Sequence, residues 1–161
     1  MTISKGETLP QASLLRLGEA GPESVDLAGL TAGKTVVIFA VPGAFTPTCT
    51  NAHMPSFVQT AEQYRAKGVD LICVSVNDPF VTDAWAKATG AEAAGIAVLA
   101  DAEGAFTKAI GLDFTAPPAG LFGRSKRYAM LVEDGVVKAL HVETSPGTCS
   151  VSAGPSMLDE I

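Results

Sequence analysis

Residues 36–50 read VVIFAVPGAFTPTCT. The first six, Val36 to Val41, form an apolar, mostly β-branched run without a polar interruption, the pattern of a strand covered on both faces. Such a strand needs a layer of structure on each side, which points to an α/β sandwich rather than an open sheet. The run then breaks into Pro42, Gly43 and Pro47, with Thr46, Thr48 and Thr50 around Cys49. A thiol placed there is either a small core residue or the reason for the turn.

Beyond the turn, Met54, Phe57, Val58, Ala61 and Tyr64 or Arg65 recur at helical spacing and Gly68 follows as a stop, predicting a helix from Cys49 to about residue 66. Pro55 removes one backbone bond from it and predicts a kink one turn after the cysteine. VDLICVSV (69–76) reads as the next strand. In NDPFVTDAWAKATG (77–90), Asp78 is an N-cap, Pro79 opens a helix, Phe80, Val81, Ala84, Trp85 and Ala88 form its apolar face, and Gly90 ends it. GIAVLAD (95–101) gives another strand, with Asp101 placed to cap a short helix. Asp134-Gly135 joins two strands within 127–143, a strong hairpin signal, and an N-terminal hairpin joins ASLLRL (12–17) to ESVDLAGL (23–30). The order is therefore parallel strands alternating with helices, then an antiparallel pair: a central mixed sheet with helices on both faces and an N-terminal hairpin extension.

Nothing divides residues 1–161 into more than one domain, and a chain of this length buries a sufficient core without disulfides. A net charge of −6 argues against nucleic acid or an anionic membrane as partner. No apolar run approaches the roughly 20 residues of a membrane span, and MTISKGETLP (1–10) resembles neither a signal nor a transit peptide. The expected setting is the reducing cytoplasm. Three cysteines, Cys49, Cys73 and Cys149, with two histidines lack the paired spacings of a zinc site. They are inert or redox-active.

Cys49 falls where a strand's carboxyl end meets a helix start, the usual ligand position in α/β sheets. Unpaired N–H groups and the helix dipole there favour an anion, and such sites lower a thiol from about 8.5 to roughly 3.5–7.5. Pro42 and Pro47 stiffen the turn, Gly43 allows backbone angles other residues avoid, and the Thr46 and Thr48 hydroxyls can donate to a bound oxygen or cap the helix.

The segment VPGAFTPTCT (41–50) resembles the active-site loop of peroxiredoxins, thiol enzymes on a thioredoxin-like fold that reduce hydroperoxides. With HMPSF (53–57), VSVNDPFVTDAW (74–85), LADAEGAF (99–106) and KRYAMLVEDGVVKALHVE (126–143) in order, the chain resembles the type II, peroxiredoxin-five-like subfamily over nearly its whole length. The resemblance implies that Cys49 is the peroxidatic cysteine. It also implies that Pro42 and Thr46 shield the sulfur and bind peroxide and that Arg127 stabilises the thiolate and polarises the substrate; Gly43 and Thr48, read from the turn itself, are expected at the same substrate pocket. No cofactor is implied: no metal, haem or flavin. Cys149, in SPGTCSVSAGP (145–155), matches the resolving cysteine of atypical two-cysteine members, whereas plant members carry a second cysteine at the position of Cys73. The mid-strand setting of Cys73 reads as a small buried hydrophobe. His53, one turn after Cys49, reads as a residue behind the site, and His141 as structural. The implied partners are a hydroperoxide, thioredoxin, glutaredoxin or glutathione as reductant, and a second copy of the chain in a homodimer. Two other functions fit a reactive cysteine: a peroxide sensor that signals by oxidation of Cys49, and a hydrolase with a Cys–His pair.

Overall fold

The chain, described over residues 1–161 by a computed structural model, opens with the strands β1 (Ser13–Gly18) and β2 (Gly21–Asp26) and the short helix α1 (Leu27–Thr31). There follow β3 (Thr35–Val41), a π-helical turn (Cys49–His53) leading into α2 (Met54–Ala66), β4 (Val69–Ser75) and α3 (Pro79–Ala88). β5 (Ala97–Ala100), α4 (Ala105–Ala109), β6 (Asp113–Ala116) and β7 (Leu121–Ser125) lead to the β8 (Tyr128–Glu133) and β9 (Val136–Val142) hairpin and to α5 (Gly154–Leu158).

Seven strands form one mixed sheet in the order β2-β1-β5-β4-β3-β8-β9. β3 runs parallel to β4 and antiparallel to β8, and β4 is parallel to β5. Val36 to Val41 are all fully buried. Because side chains alternate along a strand, Val37, Phe39 and Val41 enter one core with Met54, Phe57 and Trp85 of α2 and α3. Val36, Ile38 and Ala40 enter a second core with Leu27 of α1 and Phe106 of α4. The doubly covered strand is thus the middle of a three-layer sandwich.

Most punctuation signals act as expected. Asp78 accepts from Val81 N–H at 2.9 Å and caps α3. Asp101 accepts from the N–H groups of Phe106 and Thr107 at 3.2 and 2.8 Å, satisfying the start of α4. Asp134 and Gly135 both adopt positive φ in the β8–β9 turn.

Three expectations need correction, and two elements have no counterpart in the sequence reading. ESVDLAGL is not one strand: Asp26 caps α1 by accepting from Ala28 N–H, so the chain coils from Leu27. The helix after Cys49 is not an α-helix with a kink. Met54 N–H bonds to Cys49 O, five residues back, and Pro55, which has no N–H to donate, follows directly. The apolar face of α3 is also displaced, burying Pro79, Thr82, Trp85 and Ala86 and leaving Phe80 60% exposed. Phe80 lies five residues, about 140° round the helix, from Trp85, and the larger ring takes the core. Finally, the β6–β7 hairpin and α5 went unread, because 113–125 and 145–161 are dominated by Gly, Pro and polar residues.

Candidate active site

Antiparallel pairing of Ala40 with Tyr128 brings Arg127, the residue before β8, beside the exit of β3. Pairing of Tyr128 with Val142 then brings Glu143 to the same place, where its N–H bonds to Arg127 O at 2.9 Å. From the end of β4, Asn77 Oδ1 accepts from Ala44 N–H at 3.0 Å and fixes the middle of the turn. Four strand ends therefore meet around the segment 42–49.

Within that turn, Pro42 is buried and its carbonyl accepts from Arg124 Nη1 at 3.3 Å. Gly43 is tightly packed rather than conformationally special. Its φ is not positive, but a Cβ there would lie 2.8 Å from Arg124 Nη1 and 3.2 Å from Thr46 Cγ2. The left-handed residue is instead Phe45, at φ 65°. Such a φ costs a non-glycine residue about 1–2 kcal/mol, and strain of this kind gathers at functional loops. Thr46 Oγ1 donates to Gly43 O at 2.7 Å, leaving its lone pairs to accept. Thr48 Oγ1 donates to Gly147 O at 3.2 Å, so its proton goes to the loop of Cys149. Neither hydroxyl caps the helix. The first intrahelical bond runs from Thr50 N–H to Thr46 O at 3.0 Å, so the N–H groups of Thr48 and Cys49 precede the ladder.

Cys49 is fully buried, and Arg127 Nη2 donates to its sulfur at 3.2 Å. The guanidinium is only 2% exposed, and none of the four ion pairs in the molecule involves it. Its other bonds go to Pro146 O, from Nε at 3.3 Å and Nη2 at 2.9 Å, and to His53 Nδ1, from Nη1 at 3.1 Å. Since arginine cannot accept and a carbonyl cannot donate, one histidine tautomer fits: Nδ1 accepts from Arg127 and Nε2–H donates to Ser152 O at 3.0 Å. Burial, reinforced by the Arg127 charge, lowers the His53 pKa from 6.5 to about 3. A neutral imidazole with both nitrogens so engaged is no base for Cys49, which removes the Cys–His hydrolase.

Cys73 lies in β4 opposite Phe39 and shares the apolar cluster of Cys49. Burial, then the nearness of Cys49, pushes its thiol well above the ordinary range. Cys149 is half-buried on the segment between β9 and α5, and burial, opposed by Arg127 and assisted by Glu143, raises its thiol too. That segment touches the Cys49 helix at both ends, through Thr48 to Gly147 and His53 to Ser152. His141 is structural, with Nδ1 against Val151 O at 2.7 Å and Nε2 against Glu160 at 2.9 Å. No group of three His, Cys, Asp or Glu side chains could hold a metal ion.

All the expected residues thus converge except Cys73, which lies behind the site. Arg124, Asn77, Pro146 and Glu143 were not foreseen. Arg124 sits in a stretch that reads as a solvated basic turn, and Glu143 ends a strand with no motif around it.

Similarity to known proteins extends over nearly the whole chain. The family model described as Redoxin matches residues 4–157. The chloroplastic peroxiredoxin-2E-2 of Oryza sativa subsp. japonica is 46% identical over 98% of this chain and 72% of its own length. Peroxiredoxin-2C of the same species is 45% identical over 97% of this chain and 96% of its own. Among solved structures, reduced Prx3 from Vibrio vulnificus in complex with hydrogen peroxide is 48% identical, covers 98% of each chain and superposes with a TM-score of 0.89. The chain belongs to the redoxin family and, within it, to the type II peroxiredoxins, thiol-dependent peroxidases of antioxidant function that take a peroxide substrate and a thiol reductant.

Proposed function

We propose that Cys49 is the thiol that reduces hydrogen peroxide and small organic hydroperoxides. The observation that carries this is the buried Arg127. A guanidinium removed from water costs several kcal/mol unless it meets an anion, and the group at its Nη2 that can carry negative charge is the Cys49 sulfur. The contact sets a fixed positive charge against the sulfur, whose anionic form is the nucleophile.

In the reaction the Cys49 thiolate attacks one peroxide oxygen in line with the O–O bond. The S–O bond forms as the O–O bond breaks, sulfur gives up two electrons, and the leaving oxygen takes a proton to become water or an alcohol. Thr46, its proton committed to Gly43 O, accepts from the peroxide hydroxyl. Arg127 and the N–H groups at the helix start stabilise charge passing to the leaving oxygen. Pro42 and Gly43 close the pocket, while Thr48 is turned toward the Cys149 segment.

Cys149 resolves the resulting sulfenic acid. Its segment is bonded to Thr48, next to Cys49, and to His53, one turn further on, whereas Cys73 is locked mid-strand. A disulfide of this kind suits thioredoxin as reductant, and glutaredoxin or glutathione acts where an outside thiol reaches the sulfenic acid first. We place the protein in the cytoplasm, where thiols stay reduced, and as a homodimer through the edge carrying the site. Phe45, Phe80 and Phe122 are 55–65% exposed and lie on segments tied to the turn through Asn77 and Arg124.

The test is stopped-flow peroxide reduction by the wild type and each Cys→Ser variant, with thioredoxin, glutaredoxin and glutathione supplied separately. The expected result is loss of the rapid phase in Cys49→Ser and loss of thioredoxin-linked turnover in Cys149→Ser. A rapid phase surviving in Cys49→Ser sinks the assignment. Single-turnover oxidation with no recycling by any thiol would favour a sensor.

A further inference from the structure

Glu143 stands beside Arg127 yet does not bond to its side chain. Its carboxylate folds instead over the residues just beyond Cys149. Oε2 accepts from the N–H groups of Ser150 and Ser152, each at 2.8 Å, and from the Ser152 hydroxyl at 2.6 Å, while Oε1 accepts from the Ser150 hydroxyl at 3.2 Å. The residue is 8% exposed. Burial alone would raise its carboxyl, but these bonds hold it below the usual value. So many bonds on one carboxylate hold the 150–152 strap to the end of β9.

The other end of the strap is fastened by Arg127 to Pro146 O and by Thr48 to Gly147 O. Cys149 therefore sits in an arc pinned on both sides, with one pin next to Cys49 in sequence and the other at His53 through Ser152. We propose that Glu143 is the positioning residue for the resolving thiol: by clasping Ser150 and Ser152 it holds Cys149 within reach of oxidised Cys49. This rests on Cys149 being the resolving cysteine. In the step concerned, the Cys149 thiolate attacks the sulfur of Cys49–SOH, the S–S bond forms, the S–O bond breaks, and hydroxide leaves and is protonated to water. Glu143 touches none of these atoms. It acts through the effective concentration of one thiol near the other, which a loosened loop lowers.

The test follows Cys49 oxidation and disulfide formation separately after one equivalent of hydrogen peroxide, by Trp85 fluorescence and quenched-flow mass spectrometry. Glu143→Ala slows disulfide formation about tenfold or more and shifts product from disulfide to Cys49 sulfinic acid as peroxide is raised. Its rate of Cys49 oxidation stays within about twofold of wild type, which also reports that the protein is folded. Glu143→Gln retains most of the wild-type rate, since an amide oxygen accepts the same three bonds and the amide N–H₂ donates to the Ser150 hydroxyl. The Ser150→Ala/Ser152→Ala double variant, which keeps both backbone bonds, slows less than Glu143→Ala. Disulfide formation at the wild-type rate in Glu143→Ala overturns the proposal. So does a Glu143→Gln as slow as Glu143→Ala, which would make charge rather than the clasp responsible. A wild type that forms no Cys49–Cys149 disulfide removes the resolving assignment and this proposal together.

Discussion

Arg127 serves three acceptors that need different directions: the Cys49 sulfur, the His53 ring and the Pro146 carbonyl. Lysine offers one point charge and cannot span them. Arg127→Lys is therefore expected to lose most, and Arg127→Met about 10²–10³-fold, of the second-order rate with peroxide, measured by stopped flow. His53 gives a second prediction at this scale. Its native pKa is lowered to about 3 from 6.5, so below pH 6.5 the unfolded chain binds a proton that the folded chain refuses. Its stabilising contribution is complete above that pH and falls as pH drops toward 3, at up to about 1.4 kcal/mol per pH unit. The carboxyl of Glu143, held below 4.5, adds a loss of the same sign only at the acid end of this window. Urea unfolding of His53→Asn between pH 6 and 5 should show a shallower dependence than wild type; an unchanged slope would place the titration elsewhere.

At the scale of elements, α5 anchors the far end of the Cys149 segment against α2. Gly154 packs against α2 so closely that a Cβ would run into Ser56 O and Thr60 Oγ1, while Gly154 N–H donates to Ser56 Oγ at 2.9 Å and Gly154 O accepts from the Tyr64 hydroxyl. Gly154→Ala should cost about 1–3 kcal/mol in denaturant unfolding, the usual penalty of overpacking, and a neutral result would mean that α5 docks loosely. Little of this was legible in the sequence, since SVSAGPSMLDEI has one buried large apolar residue, Met157, and its glycine matters through space rather than φ. β3, α2 and the β8–β9 hairpin were legible because periodicity and turn chemistry are local. The π-helical turn depends on how Pro55 meets the turn before it, and the face of α3 on which ring wins the core.

For the molecule as a whole, the order of elements and the cluster Pro42, Thr46, Cys49 and Arg127 followed from local pattern and from a resemblance spanning the chain. The bonds from His53 to Arg127 and to Ser152 cross 74 and 99 positions and carry no local signature. Phe45, Phe80 and Phe122, left outside the core, lie on segments tied to the site through Asn77 and Arg124. For the homodimer proposed above, Phe80→Asp is expected to halve the mass in solution by light scattering, and a wild type with a monomer's mass, or an unchanged mass in the variant, would contradict a contact through this edge. The central claim, that Cys49 is the sulfur that meets the peroxide, is tested most directly by trapping the oxidised thiol. Cys149→Ser protein given one equivalent of hydrogen peroxide and a sulfenic-acid probe should carry the label on the peptide containing Cys49 and on no other. A label on the Cys73 peptide, or Cys49 unmodified after the peroxide is consumed, would contradict the account.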